Sequence, residues 1–139
     1  MRSMKTILHS AAIFSMLISL HGAEIKDPID IAMNEAMERN GSTAGMCEAI
    51  AEANKKWEAR LNAVYAKLKK QMPPEEFAAL QQAQRAWIAY RDLQIKSYEA
   101  TYSRMDGTMW IPCSASAVMN LTKQRVQELE GILNLLSER

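Results

Sequence analysis

Apolar residues recur at helical spacing over most of the chain beyond residue 27. In the central part they step by three or four positions, which places them on one face of a single long helix. Ser42 or Thr43 can cap the start of this helix, and Pro73-Pro74 ends it. The pattern predicts a helix over 43–71, about 40 Å long. Its apolar seam consists of Met46, Ile50, Ala53, Trp57, Leu61, Val64, Leu68 and Met72.

Two further helices flank this one in the sequence. Asp27-Pro28 joins a capping side chain to a proline that fits a first turn, so a short helix is expected from there to Asn40-Gly41. Another helix begins at Pro74, carries acidic residues in its first turn and runs to about Tyr102. Only the prolines separate the second helix from the third, and so short a connection predicts an antiparallel hairpin.

The helical pattern is interrupted over 103–112, where Asp106-Gly107 is a turn signal. A fourth helix is expected to begin at Ser114 or Ser116, since either side chain can act as its N-cap. Its predicted inner face carries Val118, Thr122, Arg125, Val126, Leu129, Ile132, Leu133 and Leu136. Together these segments predict an all-α fold, an antiparallel helical bundle of three long helices preceded by a short N-terminal helix.

The first 23 residues have the order of an export signal. Arg2 and Lys5 form a basic start, an apolar run follows over 7–20, and small residues at Gly22-Ala23 end it. Cleavage after 1–23 leaves one domain, 24–139, which is expected to be periplasmic or secreted; the alternative is a buried N-terminal helix. The apolar run is short for a membrane span, and no cysteine follows it to carry a lipid anchor.

Cleavage also changes the chemistry available to the chain. Both histidines, His9 and His21, lie within the signal, so the mature domain has no imidazole base or ligand. Its net charge is about −1, which does not favour nucleic-acid binding. Carboxylate pairs such as Glu75/Glu76 and Glu128/Glu130 are interpreted as solvated helix faces rather than a hydrolase pair. No catalytic residue, metal site or cofactor is predicted.

Two cysteines remain in the mature domain, Cys47 and Cys113. An even count in an exported protein favours a disulfide. The predicted topology brings the two together, because the third helix returns the chain to the end where the second began. Such a bridge would stabilise the fold by roughly 4 kcal/mol in the chain-entropy model. The alternative is two separate buried thiols.

Polar residues occur on the predicted inner face of the third helix. Gln84, Trp87 and Arg91 are spaced i, i+3, i+7 and share this face with Leu80. Buried polar groups need partners, and Asn62 on the second helix is a candidate. One hypothesis is a structural polar cluster of Asn62, Gln84, Trp87 and Arg91 that locks the helices in register. The other is a ligand or partner site.

The same segments carry a family resemblance. Over roughly residues 43–133 the chain resembles the LprI-type lysozyme-inhibitor domain family. The resemblance rests on Cys47, LNAVY at 61–65, AQRAWIAYRD at 83–92, Cys113, and Thr122 with Arg125. Members are small exported helical bacterial proteins, named after a lipoprotein that inhibits lysozyme. Many carry a further cysteine shortly after the YRD segment, whereas this chain has none there.

The resemblance implies an exported, non-enzymatic binding protein with lysozyme as its protein partner. Inhibition is expected to work by occlusion of the muramidase cleft, with the 103–112 loop as the protruding element. Its candidate contacts are Arg104, Asp106, Thr108 and Trp110, because an aromatic residue and an arginine are common interface anchors. Alternatively, Trp110 packs over the end of the bundle. Lysozymes are usually cationic, and a charge near −1 gives little long-range steering.

Two other functions remain open from the sequence. The first is a structural or interaction protein of the bacterial envelope whose partner is not lysozyme. The second is a carrier of a small molecule or metal. Met105 and Met109 offer thioethers suited to Cu(I), although two of them make an incomplete site.

Overall fold

A computed structural model describes residues 27–139, which form four α-helices. These are α1 (Pro28–Arg39), α2 (Thr43–Gln71), α3 (Pro74–Tyr102) and α4 (Trp110–Ser137). No strand occurs within this part of the chain. The predicted all-α fold with one short and three long helices is therefore confirmed. The predicted export signal, 1–23, lies outside the described residues.

Helices α2 and α4 form the main packing interface of the bundle. The predicted seam of α2 is buried from Ile50 to Leu68, with Trp57 only 1% exposed at its centre, while Met46 and Met72 at its two ends are half-buried. Helix α4 meets this seam with Met119, Val126 and Leu129. Burial of a large apolar side chain stabilises the fold by roughly 1.5–3 kcal/mol relative to leaving it in water. This interface is the core on which the other two helices dock.

Two short connections set the direction of the long helices. The chain reverses between α2 and α3 and again between α3 and α4, so α2 and α4 run in the same direction. Contacts at two levels agree with this arrangement. Thr43 at the start of α2 lies 3.4 Å, oxygen to oxygen, from Thr108 just before α4. Further along, Arg60 of α2 donates hydrogen bonds to Glu130 of α4 at 2.6 and 3.0 Å.

Helix α1 is held across α2 and α4 by ion pairs. Asp27 caps α1 with one carboxylate oxygen and accepts a 2.5 Å hydrogen bond from Arg60 with the other. Asp30 pairs with Lys123 of α4 at 2.6 Å. The hydrogen bond to Glu130 is the main cause that raises the pKa of Arg60 above its ordinary value, and Asp27 adds to it. One guanidinium therefore joins three helices.

The turn between α1 and α2 depends on a glycine. Ser42 caps α2 by accepting a hydrogen bond from the Gly45 backbone at 3.1 Å. A Cβ atom on Gly45 would lie 2.3 Å from Asn40 Cγ, so a side chain at this position requires the turn to move. The Asn40-Gly41 pair predicts that α1 ends through a left-handed residue, and this prediction is wrong, since Asn40 has a φ of −140°. Among the glycines of the described residues, positive φ occurs at Gly107, with a φ of 93°.

Helix α3 lies at the edge of the bundle. Leu80 is its one buried residue. Near the hairpin, Phe77 packs against Tyr65 of α2 with ring centroids 5.3 Å apart. The rest of the inner face is half-buried, while Tyr90 and Leu93 on the outer face are exposed. One narrow face thus holds this long helix in place.

Helix α4 begins earlier than expected. The sequence predicts an N-cap at Ser114 or Ser116, whereas the helix starts at Trp110. Pro112 therefore lies inside the first turn, where the backbone N–H groups have no partner within the helix and a proline is tolerated. Met109 precedes the helix and provides no side-chain cap. The connecting loop consequently shortens to 103–109.

The predicted disulfide is absent from the structure, where Cys47 and Cys113 are free, half-buried thiols. The topology does place them on neighbouring helices at the same end of the bundle. A bond has a stricter requirement, since the Cα atoms must lie about 4.4–6.8 Å apart with the Cβ vectors directed toward each other. Proximity deduced from helix order does not ensure that geometry.

Within residues 27–139, none of the helices combines the length and apolar character required to cross a membrane.

Candidate partner-binding end of the bundle

A polar cluster on α3 and α4 centres on Trp87. Arg125 of α4 donates a hydrogen bond from Nε to the side-chain oxygen of Gln84 at 2.9 Å. The guanidinium carbons of Arg91 and Arg125 lie 5.3 and 5.9 Å from the Trp87 ring centroid. Both distances are within the range of a cation–π interaction. The structure thus brings together three of the predicted residues and adds Arg125.

Arg125 is the more enclosed of the two arginines in this cluster. Its side chain is 12% exposed, against 28% for Arg91. Arg125 also pairs with Glu128 at 2.8 Å, while Arg91 pairs with its exposed neighbour Asp92 at 2.9 Å. A buried guanidinium is costly without such partners. Each of these two pairs lies within one helix, so the hydrogen bond from Arg125 to Gln84 is the contact that joins α4 to α3.

Asn62 is not part of the cluster. It is exposed on α2 and lines a shallow groove between α2 and α3 with Gln84 and Ile88. Asn62 directly follows the buried Leu61. One residue along a helix corresponds to a rotation of about 100°, so the side chain of Asn62 lies outside the interface that buries Leu61.

The loop 103–109 caps the end of the bundle where α2 and α4 begin. Arg104, Asp106 and Thr108, the predicted contact residues of the loop, are exposed. Thr108 touches Thr43, and Gly107 makes the turn with its positive φ. The loop is therefore anchored at one point while its charged side chains face solvent.

Trp110 lies in the first turn of α4 rather than in the loop. It is half-buried, and its ring packs against Tyr102 at the end of α3 with centroids 6.2 Å apart. Tyr98 continues this row, with its centroid 6.2 Å from that of Tyr102. Trp110 thus packs over the end of the bundle and also presents part of its ring to the surface.

A groove of about 600 Å³ opens between the end of α3 and the start of α4. Tyr102, Met105, Trp110 and Ile111 form most of its apolar wall. Ile111 remains 57% exposed. The same end of the bundle exposes Met105 and Met109, so apolar surface is concentrated here. Contiguous exposed apolar surface commonly marks a binding site.

The sequence pattern misses this groove. Tyr102 and Ile111 belong to separate helices, and their proximity arises from the turn between α3 and α4. The available signal was the density of large apolar residues in and beside the loop, Met105, Met109, Trp110 and Ile111. A solvent-facing loop seldom carries so many unless they pack or bind.

Several carboxylates of the described residues have cationic partners. Glu130 pairs with Arg60 and so links α4 to α2, whereas Glu128 pairs with Arg125 within α4. Across residues 27–139 no three side chains of His, Cys, Asp or Glu type are grouped to hold a metal ion. Met105 and Met109 are both exposed on the loop.

These features define a small helical-bundle protein with an anchored loop and an apolar groove at one end. The chain belongs to the lysozyme inhibitor LprI family, whose model matches residues 34–129. This span includes the Trp87 cluster, the loop and the groove.

A solved structure supports the same fold. An uncharacterized protein from Burkholderia thailandensis is 30% identical to this chain and superposes with a TM-score of 0.76. The match covers 82% of this chain and 57% of that protein, so this chain spans little more than half of the other's length. No curated protein matches the chain.

Proposed function

We propose that this protein is an exported, non-enzymatic inhibitor of lysozyme-type muramidases. Membership of the LprI family carries the proposal, because lysozyme inhibition gives the family its name. The anchored loop with its neighbouring groove is the part of the described surface best suited to a protein partner. An export signal at 1–23 places the mature domain, 24–139, in the periplasm or outside the cell, where lysozyme acts.

Inhibition works by occlusion of the substrate cleft. Glycoside hydrolases of this type use two carboxyl groups on either side of the scissile bond. Arg104 is exposed at the start of the loop and presents a guanidinium that matches a carboxylate in shape and charge. Asp106 and Thr108 add hydrogen-bonding groups beside it, and Trp110 supplies apolar area. The loop thereby blocks access to the catalytic carboxylates.

The internal contacts favour a binding role over catalysis. Arg60 engages Asp27 and Glu130, and Arg125 engages Glu128, so these carboxylates have structural partners. The loop and groove instead offer a mixture of apolar and charged groups typical of an interface core with a polar rim.

A turbidity assay tests the function directly. The purified protein is titrated against c-type lysozyme while the clearing of a bacterial cell-wall suspension is followed. Saturating inhibition near equimolar stoichiometry is the expected result. The absence of inhibition at large excess, repeated with g-type and i-type lysozymes, would show that the proposal is wrong.

A second candidate function is supported by the outer face of α3. Tyr90 and Leu93 are exposed there, in helical register and three turns before the loop. Such residues suit an envelope protein that binds a partner other than lysozyme. In a pull-down from envelope extract, the unmodified protein is then expected to recover a stoichiometric partner. A double variant with Tyr90→Ser and Leu93→Ser is expected to lose that partner. Retention of that partner by the variant would exclude this face.

A further inference from the structure

The groove at the end of the bundle is lined by electron-rich groups. The rings of Tyr102 and Trp110 are inclined by 41° to each other, and both are half-buried, so part of each ring faces the groove. The Met105 thioether lies beside them. Glu99 is the one residue of the lining with a formal charge, and Ser103 and Ser114 add hydroxyl groups to that of Tyr102. The described lining therefore combines aromatic faces with a single negative charge.

The other two tryptophans show what such surfaces bind in this protein. Arg60 and Lys123 lie 5.2 and 5.7 Å from the Trp57 centroid. Trp87 likewise lies beneath two guanidinium groups. Within the described chain, Trp110 alone among the tryptophans has no lysine or arginine in this position. A cation over the Trp110 ring can therefore come from a binding partner.

We infer that the groove binds a lysine or arginine side chain of the lysozyme that the protein inhibits. The aromatic faces attract the cation through their quadrupoles, and Glu99 provides the opposite charge. The aliphatic stem of a basic side chain can lie along Met105 and Ile111 while its charged end reaches the rings. Since lysozymes are usually cationic, they offer many such side chains. The identity of the partner rests on the proposed function, whereas the preference for a cation does not.

A pair of small probes tests the preference for a cation. N-acetyl-arginine methylamide carries the guanidinium, and N-acetyl-citrulline methylamide is its neutral isostere. Each is titrated into the full chain while the indole N–H resonance of Trp110 is followed by NMR. We expect the arginine probe to bind at least about fivefold more tightly than the citrulline probe. Equal affinities, or a response at Trp87 instead of Trp110, would overturn the inference.

Glu99 provides the matched variants. Glu99→Gln keeps the shape of the side chain and removes its charge, so affinity for the arginine probe is expected to fall about three- to fivefold. Glu138→Gln makes the same change at an exposed position at the opposite end of the bundle and should leave affinity unchanged. Unchanged binding in Glu99→Gln would overturn the inference.

The turbidity assay separates this inference from the proposed function. If the groove receives a basic side chain of lysozyme, Glu99→Gln raises the concentration for half-inhibition by a similar factor. Inhibition that is identical in Glu99→Gln and the unmodified protein overturns the inference and leaves the inhibitor function standing. Glu99-dependent binding of the arginine probe, together with no inhibition of any lysozyme, supports the cation site and rejects lysozyme as its source.

Discussion

Arg125 of α4 donates a hydrogen bond to Gln84 of α3 at 2.9 Å and lies over the same tryptophan as Arg91. This contact ties the edge helix to the core, because α3 buries only Leu80 elsewhere. The candidate loop follows α3 directly. The position of the loop therefore depends on how firmly α3 is held.

Replacement of the two arginines is expected to affect stability unequally. Arg125→Ala removes a nearly buried guanidinium with its bonds to Gln84 and Glu128, and should lower the free energy of unfolding by about 2 kcal/mol. A melting temperature about 8–12 °C lower would follow. Arg91→Ala removes a more exposed pair and should cost less than about 1 kcal/mol. Thermal melts of both variants measure the difference, and an equal or reversed order would show that Arg125 does not anchor α3.

Replacement of two glycines by alanine is expected to change the free energy of unfolding in opposite directions. Gly45→Ala forces a Cβ atom to within 2.3 Å of Asn40, and overpacking of this kind costs about 1–3 kcal/mol. Gly131 lies in α4 with open space around the corresponding position, so Gly131→Ala should stabilise the helix by about 0.5–1 kcal/mol. Urea denaturation of the two variants gives the sign of each change in the free energy of unfolding. A neutral or stabilising effect of Gly45→Ala would contradict this close approach of Gly45 to Asn40.

The docking of α1 is expected to depend on Arg60. Arg60→Met keeps much of the side-chain volume but removes the links to Asp27 and Glu130. Because the guanidinium is partly exposed, the global loss should be only about 1 kcal/mol. Amide hydrogen exchange in α1 should nevertheless accelerate clearly. Lys56→Met, which removes a longer and more exposed pair, serves as the control. Equal exchange of α1 in the two variants would argue against this role.

The pH dependence of the contribution of Arg60 to stability follows from the direction in which folding shifts its pKa. Folding raises the pKa of this guanidinium, so its stabilisation is complete below the ordinary value and is lost only as pH rises through the still higher folded value. The destabilisation caused by Arg60→Met should therefore be the same at about pH 6 and about pH 9. Denaturation curves at the two pH values test this. A loss that disappears at the higher pH would contradict the assignment.

The core could be predicted from the sequence because its pattern is local. Residues of one helix face repeat at fixed spacing, and the seam through Trp57 and Leu68 is buried as predicted. The contacts of Arg60 could not be predicted in the same way. They join residues 33 and 70 positions apart through long side chains whose direction depends on the packed helices.

The candidate site was predictable only in part. The loop and its exposed charges follow from the turn signal at Asp106-Gly107. The start of α4 at Trp110 was not predicted, because capping preferences pointed to Ser114 and Ser116 and Met109 provides no side-chain cap that would mark the earlier start. The groove depends on the approach of Tyr102 to Trp110, which sequence spacing does not encode.

Charge reversal in the loop tests the central claim most directly. Arg104→Glu reverses the charge of an exposed loop residue. Lys67→Glu makes the same charge reversal at an exposed position of α2 near the other end of the bundle. Both variants and the unmodified protein are titrated in the lysozyme turbidity assay after circular dichroism confirms their folding. Inhibition by the unmodified protein and Lys67→Glu, with at least about a tenfold loss in Arg104→Glu, is the predicted result. Equal inhibition by all three would contradict occlusion by the loop, and inhibition by none would contradict the inhibitor function itself.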